Sequence, residues 1–523
     1  MIILLGAIAL IVILLVASSF DFSFLSQVRG PSTQQGLPLP LVSISKVAGQ
    51  IRENGEAMPN QIKAKGKAVG GEQITPIVEQ TNAIGLPLVS KEKRKQAPWG
   101  VTFETVDTAG GLDIMAQAGA RWIRRVLLWS QVEPEAGVRD WDAISGFDND
   151  IMNARARDME FIAVIEATPS WALRTGFQCG QVAPEYFGKL ADFAYDAVKR
   201  YSVAPYNIQY WELWNEPDAA GVLGCWGDPG DTNYYGGAQY GEMLKVVYPR
   251  MKEANPNIEV LFGGLLLNCD PNNPPMNSTT GIVRSCVESN FLDGALSVGA
   301  GSSFDGVSFH AYDFYYEEKG IGWYSNLNWA SSWDTTGPVS LVKANYIKEL
   351  LSKYNVTDKY LVATEDALFC GPNRPDAPIY PVCISEEHER VKSYYLAQTF
   401  TIALAENWKA TIWWSALGYR HSGLLNADLS AKPAYNSFQF VSSQLTSAEF
   451  VRTVMIDDNI MAYEFKRNNQ IVWVLWAKTS ESIIINLLQQ PANIWVIGDD
   501  GNGIAILPSI SISVGRAPIF VEY

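Results

Sequence analysis

A chain of 523 residues, 47% of them hydrophobic, is too long for one ordinary core, so two domains with additions are expected. A formal charge of -15 excludes nucleic acid as a partner, because nothing in that balance would neutralise phosphates. The 17 Trp and 23 Tyr are a heavy aromatic load; most belong in a core, but flat indole faces also stack on sugar rings.

Met1 to Phe20 carries no charged side chain and is nearly all Ile, Leu, Val or Ala. Roughly 20 apolar residues span a bilayer as a helix. Two readings are open: a secretory signal, with Ala17-Ser18-Ser19 as small residues near a cleavage site, or an uncleaved signal-anchor. The length of the run and the lack of a basic stretch before it favour the anchor. On either reading the bulk of the chain is extracytoplasmic, secreted or held to a membrane through this helix. Residues 21–97 read as a linker or stalk, rich in Pro, Gln, Gly, Ser and Lys and without a sustained hydrophobic period. The run Lys91-Glu92-Lys93-Arg94-Lys95 near its end is a solvated or membrane-proximal charge cluster.

Over 98–446 short β-rich runs alternate eight times with longer helical patterns. The predicted strands are Trp99–Phe103, Arg121–Leu127, Phe161–Ile165, Ile208–Trp214, Glu259–Gly264, Gly306–Phe309, Tyr360–Thr364 and Thr411–Ser415. Several are continuous hydrophobic runs, as strands buried on both faces should be. Pro184–Tyr201 places Phe187, Leu190, Ala194 and Val198 on one helical stripe, and Leu341–Tyr354 and Glu386–Glu406 read likewise. This predicts a (β/α)8 TIM barrel with long loops. A doubly wound sheet is the alternative, but no Gly-rich phosphate fingerprint follows the first strand. Over 447–523 the pattern becomes purely β, in runs such as Ile471–Trp476, Ile483–Leu488 and Ile510–Val514 separated by Asn, Asp and Gly turns. That predicts a small C-terminal all-β, sandwich-like domain.

Six cysteines, Cys179, Cys225, Cys269, Cys286, Cys370 and Cys383, all fall in or near connections that follow strands. Six allow 15 connectivities. Nearest-neighbour pairing would give Cys179–Cys225, Cys269–Cys286 and Cys370–Cys383, stapling loops around one barrel face in an oxidising compartment. Buried free thiols are the alternative. No C-x-x-C pair occurs and there are only three His, so a metal centre has no support.

Two strand ends carry the chemistry. Tyr210-Trp211-Glu212-Leu213-Trp214-Asn215-Glu216-Pro217 is an aromatic-rich strand stopped by Pro217, which has no N–H to continue a ladder. Glu216 therefore sits where the fourth strand stops, with the carboxamide of Asn215 beside it. Glu365 closes Tyr360-Leu361-Val362-Ala363-Thr364 in the same way on the seventh. C-terminal strand ends are where barrels do chemistry, and ends four and seven face each other across the mouth. Two carboxyl groups over one hollow, one neutral and one ionised, are what glycosidic cleavage requires. Unrelated rim acids are the bland alternative.

These residues resemble the clan A (β/α)8 retaining glycoside hydrolases, with family 39 (β-xylosidase-like) and family 5 nearest in pattern. Trp214-Asn215-Glu216-Pro217 is similar to the clan's fourth-strand signature, which makes Glu216 the acid/base, and Glu365 matches the seventh-strand nucleophile. The resemblance implies that Asn215 binds the substrate 2-hydroxyl and that Arg124, in Arg121-Trp122-Ile123-Arg124, supports the nucleophile. It implies a sugar platform at Trp171 in Ala167-Thr168-Pro169-Ser170-Trp171, and a hydrogen bond to the nucleophile from Tyr312 in Phe309-His310-Ala311-Tyr312. His310 lines the same pocket, though read alone it is more often a satisfied core residue. Trp414, before Ser415, matches the floor tryptophan that precedes a cis peptide.

Asp366 departs from the pattern and is a minor rival nucleophile; Glu212 lies deeper, where a structural pair with Arg124 is expected. Glu133-Pro134 reads as a structural turn. The implied activity is retaining hydrolysis of β-linked glycans or glycosides by double displacement, with an oligo- or polysaccharide as partner and no metal or organic cofactor. Transglycosylation shares the first half-reaction. The reading from another class is an inactive, membrane-tethered carbohydrate-binding protein, which would keep the tryptophans and lose a carboxylate.

Overall fold

Strands that are apolar on both faces must be covered on both, and here they close on themselves. The computed structural model describes residues 97–523 apart from 175–179, 220–223, 225, 278–279, 319 and 372–384. Eight parallel strands form the barrel: β1 (Trp99–Val101), β2 (Trp122–Leu128), β3 (Glu160–Glu166), β4 (Tyr210–Asn215), β5 (Glu259–Leu265), β6 (Gly306–Glu318), β7 (Tyr360–Cys370) and β8 (Ala410–Trp413). Their order is β5-β4-β3-β2-β1-β8-β7-β6, and β5 also pairs with β6, which closes the ring. Each strand is followed by a helix: α1 (Leu112–Ala118), α2 (Ser145–Arg155), α3 (Phe187–Tyr201), α4 (Gly237–Ala254), α5 (Phe291–Ser297), α6 (Val339–Lys353), α7 (Glu386–Ala405) and α8 (Pro433–Leu445).

The helices follow from local chemistry. α3 buries Phe187, Leu190, Ala194 and Val198, the stripe its spacing predicts. α7 starts where the Ser385 side chain accepts the His388 N–H, with Glu386, Glu387 and Glu389 in its first turn. From Val391 to Ala405 every residue of α7 is buried, because the barrel covers one side and the C-terminal strands approach the other.

Those strands are β9 (Ala448–Thr453), β10 (Ile460–Arg467), β11 (Gln470–Ala477), β12 (Ile483–Asn486), β13 (Asn493–Ile497), β14 (Gly503–Ile506), β15 (Ser511–Val514) and β16 (Ile519–Glu522). Six form one antiparallel sheet in the order β9-β10-β11-β16-β13-β14, and β12 pairs with β15 as a separate ribbon. Alternation of side chains splits the sheet's residues between two cores. Tyr463, Phe465, Val472, Val474, Trp476 and Phe520 join the barrel's hydrophobic core. Trp473, Leu475, Ile519 and Val521 face the other way, onto Ile485, Leu487, Ile512 and Val514 of the ribbon and its flank. The expected sandwich is thus lopsided: a broad sheet with the barrel on one face and a two-stranded ribbon on the other.

Two strands run well past their predicted ends. β6 and β7 stay paired in parallel from Gly306↔Tyr360 to Tyr315↔Cys370, and Ile321–Asn326 adds to β6 antiparallel. In these extensions the apolar run gives way to mixed polar and aromatic residues, which is why their hydrophobic pattern stops short of the pairing. The anchor segment Met1 to Phe20, the stalk, Cys179, Cys225 and Cys383 lie outside the described residues. Among the described residues no helix is long and apolar enough to cross a membrane.

Cys269 and Cys286 form a disulfide, with Cα atoms 5.4 Å apart and a sequence separation of 17, and close the loop after β5 as expected. Cys370 is also disulfide-bonded, with its partner outside the described residues, where the other proposed pairings also fall. Replacing Cys269 and Cys286 together by Ser should lower the unfolding free energy by about 3 kcal/mol, the chain-entropy value for a loop of this size. Urea denaturation of the double variant against the parent measures it.

Candidate active site

The mouth at the C-terminal ends of the strands gathers its side chains by departing from regular strand geometry. Trp214 has φ 79° and Glu216 φ 41°, left-handed values at two non-glycine residues flanking Asn215. Three bonds hold this turn: the Glu216 N–H to Gly264 O at 2.9 Å, the Trp214 indole N–H to Gly224 O at 2.9 Å, and the Asn215 backbone N–H to the Glu166 carboxylate. On the opposite side β7 bulges. Its pairing with β6 steps from Phe309↔Ala363 to His310↔Glu365, so Thr364 is the extra residue. Bulges re-aim side chains beside functional sites.

Arg124, on β2, lies between the two sides and is 6% exposed. Its Nη1 donates to Glu365 Oε1 at 2.8 Å, and its Nη2 to Glu212 Oε1 at 2.5 Å and Asn215 Oδ1 at 2.8 Å. Its Nε donates to Glu212 Oε2 at 3.2 Å. Glu212 is therefore a structural partner of Arg124, as its depth on the strand predicts. His310 stands between the two carboxylates, with Nδ1 2.8 Å from Glu216 Oε1 and Nε2 3.6 Å from Glu365 Oε1. The Tyr312 hydroxyl donates to Glu365 Oε2. Behind them Lys343 Nζ, on α6, donates to His310 O at 2.9 Å and Leu266 O at 2.6 Å, tying β6 at the level of the mouth to the end of β5.

One oxygen each of Glu216 and Glu365 and a ring nitrogen of His310 lie within 4.8 Å of one another. Such a set could also hold a metal ion; here the Arg124 guanidinium already places positive charge on Glu365 Oε1.

Burial sets the electrostatics and the partners divide it unequally. Glu216 is 8% exposed, and desolvation pushes its carboxyl up to about 7, against the opposing pull of Arg124 and Lys343. Glu365 is 5% exposed and burial raises it too, with the Glu216 carboxylate adding to the rise, while Arg124 and the Tyr312 hydrogen bond pull the other way, toward the ionised form. Burial pushes His310 down to about 4, so the ring is neutral at pH 7. Burial, with Glu365 beside it, keeps the Tyr312 phenol a protonated donor.

Trp171 and Trp414 belong to loops at this same end. Trp171 is half-buried, its indole N–H bonded to Glu133 O at 3.1 Å and its ring edge-on to Trp129. Trp414 is half-buried, and the Trp414–Ser415 peptide is cis. The Glu133 carboxylate accepts from Trp129 Nε1, the Gly137 N–H and Arg139 Nε, a structural turn as predicted. Asp366 does not rival Glu365. As the next residue on β7 it points to the other side, is fully buried, and accepts the Tyr395 hydroxyl at 3.0 Å.

Sequence reasoning missed two residues. Glu166 closes β3 as Glu216 and Glu365 close their strands, and burial pushes it up to about 7. The signal, an acid at a strand end, was there; only the register places it beside Asn215. Gly264 is the other. A Cβ there would meet His310 Nε2 at 2.4 Å, so only glycine lets the imidazole lie between the carboxylates.

Fold and site together define a parallel barrel with paired acidic side chains at its C-terminal mouth. The sequence matches no family model and no curated protein. Among solved structures the fold is similar to that of a family 39 glycoside hydrolase from the gut symbiont Bacteroides cellulosilyticus WH2, at 19% identity over 82% of this chain and 81% of that one, with a TM-score of 0.57. A family 30 subfamily 8 xylanase from Clostridium acetobutylicum is similar over 82% and 97%, at 15% identity and a TM-score of 0.53. A glucosidase from Croceicoccus marinus is similar over 82% and 96%, at 14% identity and a TM-score of 0.50. At these identities the likeness is one of fold.

Arg124→Met should destabilise the fold by about 3–5 kcal/mol, because it strands the buried Glu212 carboxylate without its counter-charge. Equilibrium unfolding in urea gives the value, and a loss under about 1 kcal/mol would contradict the role assigned to the guanidinium.

Proposed function

We propose that the protein is a retaining glycoside hydrolase of the clan A type, acting on β-linked glycans or glycosides. The observation that carries this reading is the convergence of Glu216 and Glu365 from β4 and β7, an oxygen of each within 4.8 Å of the other and of His310. Retaining enzymes hold their carboxyl groups about 5–5.5 Å apart, whereas inverting ones need about 6.5–9.5 Å to admit a water between them. The short approach here suits direct attack on carbon.

The roles follow from the surroundings. Glu216, raised to about 7, is the proton donor to the departing oxygen. Glu365, with Arg124 on one oxygen and Tyr312 on the other, is the ionised nucleophile. It bonds to the anomeric carbon as the aglycone leaves with the proton of Glu216. Glu216, now ionised, takes a proton from water, whose oxygen displaces Glu365 with the anomeric configuration retained. Asn215 spends its Oδ1 on Arg124, leaving its amide N–H groups for the 2-hydroxyl. Trp171 and Trp414 are read as ring platforms. A sugar-binding protein without activity would have no use for two buried acids brought this close together and given unlike partners.

The reading extends to the whole chain: a catalytic barrel over 98–446, a supporting β domain over 447–523, and an extracytoplasmic location for which the disulfides speak. One solved structure of this fold is called a xylanase and another a glucosidase, so the sugar has to be found by assay.

The test is hydrolysis of aryl β-glycosides and of xylan, mannan and β-glucan oligosaccharides, with the product anomer followed by NMR. Retained configuration is expected; inversion, or no turnover of any substrate, would remove the proposal. Glu216→Gln should lower kcat by about 10²–10⁴-fold, and Glu365→Gln by more, with the fold intact by circular dichroism. The pH–rate profile should be bell-shaped. Activity falls as pH rises through about 7 because Glu216 must carry its proton, and falls on the acid side as Glu365 gains one. Glu216→Gln should lose the alkaline limb.

A further inference from the structure

The face that carries the paired glutamates continues beyond the barrel. β6 and β7 run on together through Tyr312↔Ala367 and Phe314↔Phe369. Side chains alternate along a strand, so Tyr312 and Phe314 share the face of His310, and Phe369 shares that of Glu365. Tyr312, whose hydroxyl touches Glu365, stacks on Phe369 with ring centres 4.5 Å apart and planes 18° apart. The Phe314 ring is 6.3 Å from Phe369. The turn after β8 adds Tyr419, edge-on to Phe369 at 5.9 Å, and Arg420, whose guanidinium carbon lies 5.2 Å from the Phe314 ring centre and 5.5 Å from that of Phe369. An unbroken run of aromatic contacts thus leads outward from Glu365 to Tyr419.

Tyr419 is 62% exposed, yet the turn that bears it is firmly built. The Cys370 N–H donates to Arg420 O at 2.9 Å, and the Arg420 side chain returns two bonds to Cys370 O at 3.1 and 2.9 Å. The Ser422 N–H donates to Tyr419 O at 3.1 Å, and Gly418 N–H reaches the Glu104 carboxylate at 3.3 Å. A large ring left 62% exposed on a pinned turn gains little from burial, so its position is not explained by packing alone. At about 3.3 Å per residue, Phe369 lies roughly 13 Å along β7 from Glu365. Tyr419 stands one ring further out than Phe369 in this run.

We propose that Tyr419, backed by Phe369, Phe314 and Tyr312, is a stacking platform for a further sugar ring, so that the substrate is an oligo- or polysaccharide and not a simple glycoside. The occupant follows from the chemistry. The C–H groups on one face of a pyranose suit the negative face of an aromatic ring, while the Tyr hydroxyl and Arg420 suit its hydroxyl rim. The exposed aliphatic side chains elsewhere, such as Ile484, Leu488 and Leu507, offer neither. The inference rests on reading Glu216 and Glu365 as the cleavage site.

Two variants, Tyr419→Ala and Tyr419→Trp, test it in two assays. In the first, kcat/KM is measured for aryl β-monoglycosides and for xylo-, manno- and cello-tetraoses. Tyr419→Ala should lower the ratio of tetraose to monoglycoside values about tenfold for the preferred series, about 1.4 kcal/mol, and Tyr419→Trp should restore it. In the second, tetraose binding is measured by calorimetry in the Glu365→Gln background, with the same tenfold loss and rescue expected. An unaltered ratio, a Trp variant as impaired as the Ala variant, or no binding of any tetraose would overturn the platform. Binding that responds to Tyr419→Ala in a wild-type protein that hydrolyses nothing would keep the platform and remove the hydrolase reading.

Discussion

The guanidinium of Arg124 is the interaction on which the mouth depends. A buried cation is tolerable only if every donor is met by a well-placed acceptor, and here Glu212, Asn215 and Glu365 meet it from β4 and β7. The same requirement ties three barrel strands together and fixes the orientation of Asn215 and Glu365. It also separates the two glutamates chemically. Glu365 has the cation and a phenol as partners; Glu216 has a neutral imidazole and the cost of desolvation. One charge, placed asymmetrically between two acids, gives a chemically identical pair two unlike environments.

Around that charge, regular structure gives way in a concerted manner. The left-handed residues Trp214 and Glu216, the bulge at Thr364 and the close packing at Gly264 all lie within the same ring of strand ends. Each is a local cost, and each is held by bonds from a different element, including the backbone donors that Glu166 and Gly264 O receive and the Lys343 bonds beneath. The remainder of the barrel, with its fully buried strands and aromatic contacts, supplies the stability that makes such deviations tolerable.

The additions to the barrel have distinct physical tasks. The six-stranded sheet buries one face against the barrel and the other under a short ribbon, which accounts for a helix as deeply buried as α7. The extensions of β6 and β7 stay hydrogen-bonded to each other above the barrel and raise an aromatic wall beside the mouth. A wall built from paired strands holds its rings more rigidly than a loop would.

The barrel itself was legible in the primary structure because its strands are buried on both faces and therefore appear as unbroken apolar runs between amphipathic helices. Glu216 and Glu365 were legible for the same reason: each ends such a run. What linear order could not show is adjacency across the ring. That His310 lies between the two acids, that Glu166 receives the Asn215 N–H, that Gly264 must lack a Cβ, and that Asp366 turns away while Glu365 turns in are all consequences of register and of one extra residue at Thr364. The overlong β6 and β7 escaped notice because their pairing outlasts the hydrophobic pattern that announces a buried strand. Local composition thus determined which elements form; the closure of the sheet decided which side chains meet, because closure brings residues as far apart in sequence as Arg124 and Glu365 within bonding distance.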